Sequence, residues 1–364
     1  MLSYFSSITA RLYDILQMRF TEAFATLPDY TLTNISPVNP IRRLAKVLGY
    51  TTLRLLGNII KPINNPDTLD DKIWLYVVSQ NNYNALHFIK KRRNNAIAVA
   101  GQGKQIGRYN AIVNRISLRK KILYYWQLPL VFIAFIKKEG IRAWRFFDLI
   151  YAAIGYYEVY RYEIRKAKPR AVIFANDHND DSRALLLACK REGIPTAYIQ
   201  HASVSTYFPP LSFDLSLLEG QDALDKYSQC GPIKGMVKLV GKPQADAFYK
   251  HRNTNHSASR LGLACNLIDE FQSISSTVAY LAHAMPDMPL TFRAHPGDQR
   301  NFESLQNIHP NLRFSNSRQE TVFDFLSRQD VLLAADTSTH LEATSLNIAA
   351  IYFRFGSHNL PFDY

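Results

Sequence analysis

Cysteine is scarce in this sequence, and its three cysteines lie far apart. Cys189, Cys230 and Cys265 form neither a CxxC pair nor a Cys/His cluster. An odd, sparse count argues against a disulfide framework and against structural zinc, so a reducing compartment is expected. A Walker A sequence and a GxSxG elbow are also missing, and Gly101-Gln-Gly103 lacks the third glycine of a dinucleotide fingerprint. These absences argue against P-loop NTPases, serine hydrolases and NAD enzymes.

Long apolar runs are scarce as well. The longest, Ile122–Ile136, has 15 residues and contains Pro129, whereas a membrane-spanning helix needs about 20. Lysine and arginine flank the run on both sides. Two interpretations stay open: a buried core helix, or a surface that enters the interface of an anionic membrane. No secretory signal is evident in the first thirty residues, so the expected location is cytoplasmic, with peripheral attachment to the inner face of the cell membrane as an open possibility.

Positive charge is abundant but unevenly distributed. The formal net charge is +13; residues 1–170 hold 27 Lys/Arg against 10 Asp/Glu, and the remainder holds 16 against 20. Such a division predicts that one part of the chain meets an anionic partner, either a membrane surface, a polyanionic substrate or nucleic acid. No zinc finger, RNA-reading aromatic motif or basic recognition helix accompanies the charge, so nucleic acid is not expected as a partner.

The pattern of apolar residues predicts an α/β protein with two Rossmann-like lobes and a helical N-terminal extension. A chain of 364 residues suits two domains. Short apolar runs alternate with amphipathic segments, which is typical of parallel sheets covered by helices. The predicted domains are residues 1–69 (helical extension), 70–245 (first lobe) and 260–364 (second lobe), with a polar linker between the lobes. Within the first lobe, about 109–166 is predicted as one long helical region. Two such lobes predict a ligand cleft lined by loops at the carboxyl ends of the strands.

His201 is the strongest candidate for a catalytic residue. It directly follows the predicted strand Thr196–Ile199, and a histidine at a strand end can act as a general base near neutral pH. The alternative is a histidine that only forms hydrogen bonds within its loop.

Two segments of the second lobe are candidate phosphate sites. Arg293 and His295 end a predicted strand and would face one side of it if the strand continued; local turn chemistry is the alternative. Ser338 or Thr339 can begin a helix whose free N–H groups bind an anion, and Glu342 can cap that turn or bind ribose hydroxyls. Capping alone is the alternative there.

The acidic turn at 176–181 contains three aspartates and one histidine. Its spacing matches no known metal motif, so no metal is expected. Helix capping by Asp180 or Asp181, together with acceptor contacts from Asn176 and Asp177, is the preferred interpretation.

The motifs together resemble those of GT-B-fold transferases of bacterial surface polysaccharides. The matching pieces are Gln200-His-Ala202, Val240-Gly-Lys-Pro243, His295-Pro296 and Ser338-Thr-His-Leu-Glu-Ala343. This group includes capsule glycosyltransferases, CDP-glycerol glycerophosphotransferases, bacterial sialyl- and Kdo-transferases and, more distantly, UDP-N-acetylglucosamine 2-epimerases. The resemblance covers roughly residues 170–360. It departs from the family at Ala202, where the family has glycine. GT-B proteins also usually continue into a closing helix beyond the point where this sequence stops, so either the sequence is shortened or residues 1–69 take that place.

The resemblance implies a nucleotide-sugar-dependent glycosyltransferase of capsule polysaccharide or lipopolysaccharide synthesis, inverting, metal-independent and without a cofactor. His201 would face a polysaccharide or lipid-linked acceptor, with Asn176, Asp177 and Gln200 beside it. The donor's phosphates and sugar would lie among five residues of the second lobe: Arg293, His295, Ser338, Thr339 and Glu342. A nucleotide-sugar 2-epimerase or hydrolase of the same fold group, and a non-catalytic binding protein, are the alternatives.

Overall fold

The computed structural model describes residues 2–27, 29–60, 63–306 and 311–356 and divides the chain into two compact units. The first unit is Met1–Gly241 and the second is Lys242–Tyr364. The segment predicted as a linker therefore falls in the second unit. There it contains the 3-10 helix Pro243–His251, whose Phe248 stacks on Phe323.

The first unit is built on a parallel sheet of seven strands in the order β3-β2-β1-β4-β5-β6-β7. The strands are β1 Ile73–Tyr76, β2 Ala96–Gly101, β3 Asn114–Ile116, β4 Ala171–Phe174, β5 Thr196–Ile199, β6 Leu215–Leu218 and β7 Met236–Leu239. Every residue of β2 is buried, as expected of a strand that helices cover on both faces.

Eleven α-helices of the described residues accompany this sheet. They are α1 Leu2–Leu16, α2 Glu22–Ala25, α3 Asp29–Ile35, α4 Pro40–Ile60, α5 Gln80–Arg92, α6 Leu128–Glu139, α7 Ile141–Arg145, α8 Phe147–Ala153, α9 Tyr156–Ala167, α10 Asp180–Glu192 and α11 Gln221–Cys230. Most of the described residues before 61 are thus helical, and α1 packs on α8 and α10 of the same unit.

The region predicted as helical, about 109–166, consists of several shorter helices and one strand. The strand is the edge strand β3, whose Asn114 is fully buried, and the 3-10 helix Arg119–Gln127 follows before α6 begins. The helical prediction is therefore wrong only at β3. A strand of three residues is too short to show an alternating pattern, and Pro129 fits at the beginning of α6 but not in a helix interior.

The apolar run Ile122–Ile136 is partly buried and partly exposed. Val131 and Phe135 are buried, whereas Leu123, Leu130 and Ile133 are exposed. In the part of the chain that the structure describes, no helix has the length and apolar character needed to cross a bilayer.

The second unit has a parallel five-stranded sheet in the order β10-β9-β8-β11-β12. Its strands are β8 Leu261–Ala264, β9 Leu290–Arg293, β10 Leu312–Ser315, β11 Val331–Ala334 and β12 Ala349–Tyr352. Its α-helices, within the described residues, are α12 Phe271–Ala284, α13 Glu303–Gln306, α14 Val322–Leu326 and α15 Thr339–Ser345. The end of the sequence, where the absence of a closing helix was noted, lies outside the described residues.

Both sheets share the same pattern: the first five strands of each unit have the order 3-2-1-4-5, which is the order of a Rossmann-type sheet. The predicted fold class, an α/β protein with two Rossmann-like lobes and helices at its N-terminus, is confirmed. In each sheet the strand order reverses between the first and fourth strands, and ligands of such sheets bind outside the carboxyl ends at this reversal.

Candidate functional site

In the first unit the strand order reverses between β1 and β4. The two strands are in register from Ile73 with Ala171 to Tyr76 with Phe174, so the loops that follow them leave the sheet side by side. The loop after β4 carries Asn176 and Asp177, and the loop after neighbouring β5 carries His201. The predicted residues of the first unit are therefore brought to one edge of one sheet.

His201 is linked to the loop after β1 by Asn82. The Asn82 side-chain amide donates to Nε2 of His201 over 3.0 Å and to the carbonyl of Ala175 over 3.3 Å, and its carbonyl oxygen accepts from the Val78 N–H. Because the amide nitrogen donates, Nε2 is the ring's acceptor and the proton-accepting atom. Asn82 is buried and was not predicted. Its position in the polar segment that follows β1 is the sequence feature that could have indicated it.

Asp177 lies in a buried network with two residues from other elements. Its carboxylate accepts from the Tyr227 hydroxyl (2.5 Å) and pairs with Nδ1 of His178 (2.9 Å), and the Tyr227 hydroxyl also lies 3.2 Å from that of Tyr198. Burial alone would raise the pKa of Asp177, but the bonds from His178 and Tyr227 outweigh it and hold the pKa below its usual range. A carboxylate kept ionised in this way can accept hydrogen bonds but is a poor proton donor.

The side chains of Asn176 and Gln200 form hydrogen bonds with the backbone of nearby loops. The side-chain oxygen of Asn176 accepts from the N–H groups of His178 and Asn179, and that of Gln200 accepts from the N–H of Glu219. Both side chains are buried. They position the loops after β4 and β5.

Capping of α10 by Asp180 or Asp181 is not observed. Both residues lie inside the helix, and Asp180 pairs with Arg19 instead. The buried Asp181 carboxylate accepts from the Tyr76 hydroxyl and pairs with Nζ of Lys104, each over 3.2 Å. Burial alone would lower the pKa of Lys104, yet the negative charge of Asp181 raises it. Sequence analysis missed this pair; Lys104 directly follows the glycine-containing turn after β2.

In the second unit the order reverses between β8 and β11. Ala264 and Ala334, the last residues of the two strands, are paired in register. Just beyond them the side-chain amide of Asn266 donates to the carbonyl of Asp336 over 2.6 Å. Arg300, from the loop after β9, donates to the carbonyl of Asn266 over 2.9 Å. Three strand-end loops are thereby linked at the position where a Rossmann-type sheet binds its ligand.

Asp269 and Asp298 complete the support of these loops. Asp298 pairs with Arg300 at 2.6 Å, and Asp269 accepts from the N–H of Asn266. Desolvation by burial raises the pKa of Asp269 to about 6. None of these residues was predicted.

Arg293 and His295 do not share a strand face. The strand β9 ends at Arg293, whose buried guanidinium donates to the Ser315 hydroxyl over 2.6 Å and to the Glu320 carbonyl. His295 lies on the surface in the following turn, where its Nδ1 accepts from the N–H of Gly297. Desolvation lowers the pKa of His295, with a further contribution from the Arg293 charge. A neutral ring is therefore favoured at pH 7, and the pair cannot act as two adjacent cations.

The segment from Asp336 to Glu342 forms a hydroxyl-rich turn that leads into α15. Ser338 is the N-cap residue but makes no side-chain capping bond, so the capping interpretation lacks its expected hydrogen bond. The Thr339 hydroxyl lies 3.0 Å from that of Thr337. Glu342 is buried and pairs with Nζ of Lys242 at 2.7 Å. Of this group, Ser338 keeps a partly exposed hydroxyl at the reversal point.

Among the described residues, no three or more His, Cys, Asp or Glu side chains are grouped closely enough to hold a metal ion. The groups at the two carboxyl edges include imidazole rings, hydroxyls, amides and the partly exposed guanidinium of Arg300. Such groups recognise the hydroxyls and phosphates of a sugar nucleotide by hydrogen bonding.

The strand orders place the protein in the class of α/β proteins with two Rossmann-like units. No protein-family model and no curated protein matches the chain. Similar solved structures include the UDP-GlcNAc 2-epimerase of Neisseria meningitidis bound to UDP-GlcNAc, at 13% identity and a TM-score of 0.45, covering 77% of this chain and 81% of that one. The MurG protein of Acinetobacter baumannii has 10% identity and a TM-score of 0.47, covering 78% of each chain. The calicheamicin glycosyltransferase CalG4 has 12% identity and a TM-score of 0.44, covering 78% and 79%. At this level the likenesses assign no activity.

Proposed function

We propose that the chain is a GT-B-type glycosyltransferase that moves a sugar from a nucleotide-activated donor to a surface polysaccharide or glycolipid. The observation that carries the proposal is the position of His201, at the carboxyl edge of the first sheet and beside the reversal of strand order, with Asn82 holding its Nε2. A general base at such a strand end is what attack by an acceptor hydroxyl requires.

In the proposed reaction, Nε2 of His201 takes the proton of the acceptor hydroxyl, which forms its bond to the anomeric carbon. The bond between that carbon and the nucleotide's phosphate oxygen breaks, and the nucleotide leaves with the electron pair. The result is inversion, because one displacement suffices. The acceptor hydroxyl competes with the Asn82 amide for the lone pair of Nε2, so Asn82 is a positioning residue in this scheme.

We assign the donor to the loops of the second unit. The Ser338 hydroxyl, the His295 ring and the amide-linked turn at Asn266 are the groups near the reversal of its strand order. Thr339 and Glu342 support the same turn, and Arg293 positions the end of β9. No cofactor and no metal take part in the proposed chemistry.

The first experiment is a thermal-shift panel of CMP, CDP, UDP and GDP on the full chain. We expect one of the four to raise the melting temperature selectively, because a ligand that binds only the folded state stabilises it by about 2.7 kcal/mol at 100 times its Kd. No response to any of the four would contradict the proposed donor class.

The second experiment incubates the corresponding nucleotide sugar with and without oligosaccharide or glycolipid acceptors. Transfer that depends on the acceptor supports the proposal. Release or epimerisation of the sugar without an acceptor would favour the hydrolase or 2-epimerase alternative, and binding without any turnover would favour a binding protein.

A further inference from the structure

Helix α4 presents its apolar side to solvent and its polar side to the protein. Five large exposed aliphatic side chains lie along one stripe at spacings of three, four, seven and four residues, and the exposed Thr52 occupies the gap between Leu48 and Leu55. Their exposed fractions run from 53% to 78%: Ile41, Leu44, Leu48, Leu55 and Ile59. The opposite side carries Arg43 and Arg54, which are 9% and 2% exposed. A surface helix of a globular protein normally has the reverse arrangement. The outer stripe of α4 is therefore a candidate binding surface.

The inner side of α4 is held by specific polar contacts, which fix the stripe in its outward position. Nζ of Lys46 pairs with Asp148 at 2.7 Å, and the Thr51 hydroxyl lies 2.6 Å from that of Tyr151. The Arg43 guanidinium donates to the carbonyl of Val38. Turning the helix to bury its leucines would break all of these contacts.

The helices α6 and α7 extend the apolar surface. Leu130, Ile133 and Trp144 are 46% to 56% exposed, and Ile141 is 80% exposed. A groove of about 530 Å³ lies between the beginning of α4 and the helices α6 and α7; its lining includes Pro40, Arg43, Phe132, Ile141 and Trp144 but no residue of the α4 stripe. The stripe of α4 and the exposed side chains of α6 and α7, here together called the apolar platform, all belong to the first unit.

Positive charge accompanies the platform. The sequence of α4 contains four basic and no acidic residues, and the stretch 119–145 contains seven basic residues and one acidic residue. Arg42, Arg119, Lys137 and Lys138 are exposed. An apolar surface edged by cations is the combination that binds the interface of an anionic bilayer.

We propose that the apolar platform docks the protein on an anionic lipid bilayer, with the aliphatic side chains in the interface and the exposed cations on the headgroups. The charge argues against a second copy as the occupant, because self-association through this face would bring the same cations together. The site assigned to His201 is not needed for the docking, so the two proposals can fail separately.

The test is flotation of the full chain with vesicles of phosphatidylcholine mixed with phosphatidylglycerol, and with phosphatidylcholine alone. We expect binding to the mixed vesicles, weakened by added salt, and much less binding to the neutral ones. The triple variant Leu44→Gln, Leu48→Gln, Leu55→Gln should lose binding by about tenfold or more, because each substitution removes apolar area that the bilayer interface would bury.

The matched control replaces exposed apolar residues of the second unit, Tyr280→Gln with Ile351→Gln, and should bind as the unmodified protein does. All of these residues are exposed, so melting temperatures should stay within the range of ordinary surface changes; this measurement identifies any variant that fails to fold.

Several results would overturn the proposal. One is the absence of binding to the mixed vesicles, and another is equal binding to neutral vesicles. A third is equal loss in the triple variant and in the control. A fourth is a dimer, detected by light scattering, that the α4 substitutions dissociate; this would assign the platform to a second copy instead.

Discussion

The two sheets share the same strand order, but the polar groups at their carboxyl edges are held in different ways. In the first unit, Asp177 and Asn82 are buried and bonded to residues from other elements, such as Tyr227 and His201. In the second unit, His295 lies at the surface and is held by a bond within its own turn. The first edge therefore holds its groups in one arrangement by bonds between elements, as the proposed proton transfer would require, whereas His295 of the second edge is exposed although the loops around it are linked through Asn266 and Arg300.

The largest expected effect is on transfer activity and concerns His201 at the first edge. Replacing the proposed base, His201→Ala, should slow transfer by about 10²–10⁴-fold, because the acceptor hydroxyl loses its proton acceptor. Initial rates at saturating donor measure the effect.

His256→Ala, at an exposed position of the second unit, is the control and should keep full activity. Transfer that survives in the His201→Ala protein would show that the base lies elsewhere.

The second prediction concerns the opposite, amino end of the second sheet. Asp330 is buried and binds Arg260 at 2.6 Å, with Ser259 and Asn255 as further donors. These bonds, that of Arg260 first, hold the pKa of Asp330 well below its usual range. The substitution Asp330→Ala should lower the free energy of unfolding by about 3 kcal/mol, because it removes the buried acceptor of several hydrogen bonds, one of them from a charged donor.

Denaturant titration measures this loss, with the exposed Asp287→Ala as the control. Because the pKa is depressed in the folded state, the stabilisation from Asp330 is present above the pKa of the unfolded chain, about 3.9, and disappears as the pH falls below it. An equal loss of stability in both variants would contradict the assignment.

The third prediction tests whether the hydrogen bond from Tyr227 stabilises the buried Asp177 at the first edge. Tyr227→Phe removes a buried hydrogen bond to an ionised carboxylate, that of Asp177, and should lower the free energy of unfolding by about 1.5–3 kcal/mol. The pKa of Asp177 should rise in the variant, so acid unfolding should begin at a higher pH.

The conservative control is Tyr280→Phe, since the Tyr280 side chain is 70% exposed. If both variants begin to lose stability at the same acidic pH, the Tyr227 hydroxyl does not lower the pKa of Asp177.

The smallest effect compares two helix starts of the second unit. Thr321 forms a capping box with Asp324, accepting from its N–H over 3.1 Å, whereas Ser338 makes no side-chain capping bond. Thr321→Ala should therefore cost about 1 kcal/mol of unfolding free energy, and Ser338→Ala less than about 0.5 kcal/mol.

Thermal unfolding with and without the stabilising nucleotide measures both effects. Ser338→Ala should reduce the shift caused by the nucleotide, and Thr321→Ala should leave that shift unchanged. The reverse result would remove Ser338 from the proposed donor site.

Much of the fold could be predicted because the strands are buried on both sides. Thr196–Ile199 is a short, mostly apolar segment followed by a polar loop, and it was predicted with the bounds that the structure has. The edge strand Asn114–Ile116 has no such run. Its Asn114 is buried through bonds to Asp67 and Ala98, which no local pattern could indicate.

The candidate site divides in the same way. His201 follows an apolar strand and could be located from that position alone, but its partner Asn82 is 119 residues away. The turn before Ser338 was visible in the sequence, whereas its link through Asn266 to the loop after β8 was not. Arg293 was placed correctly at a strand end, yet only the neighbouring strand shows that Ser315 takes its guanidinium.

The sequence by itself determined the α/β class, the order of the elements and the uneven charge, because these follow from local apolar periodicity and from composition. Only the tertiary structure decided which side of α4 faces the protein. Its leucine stripe looks in sequence like the inner face of an ordinary amphipathic helix. The partners of Lys46 and Thr51, which are about a hundred residues away, turn that stripe outward, since contacts between distant residues determine which face of a helix is buried.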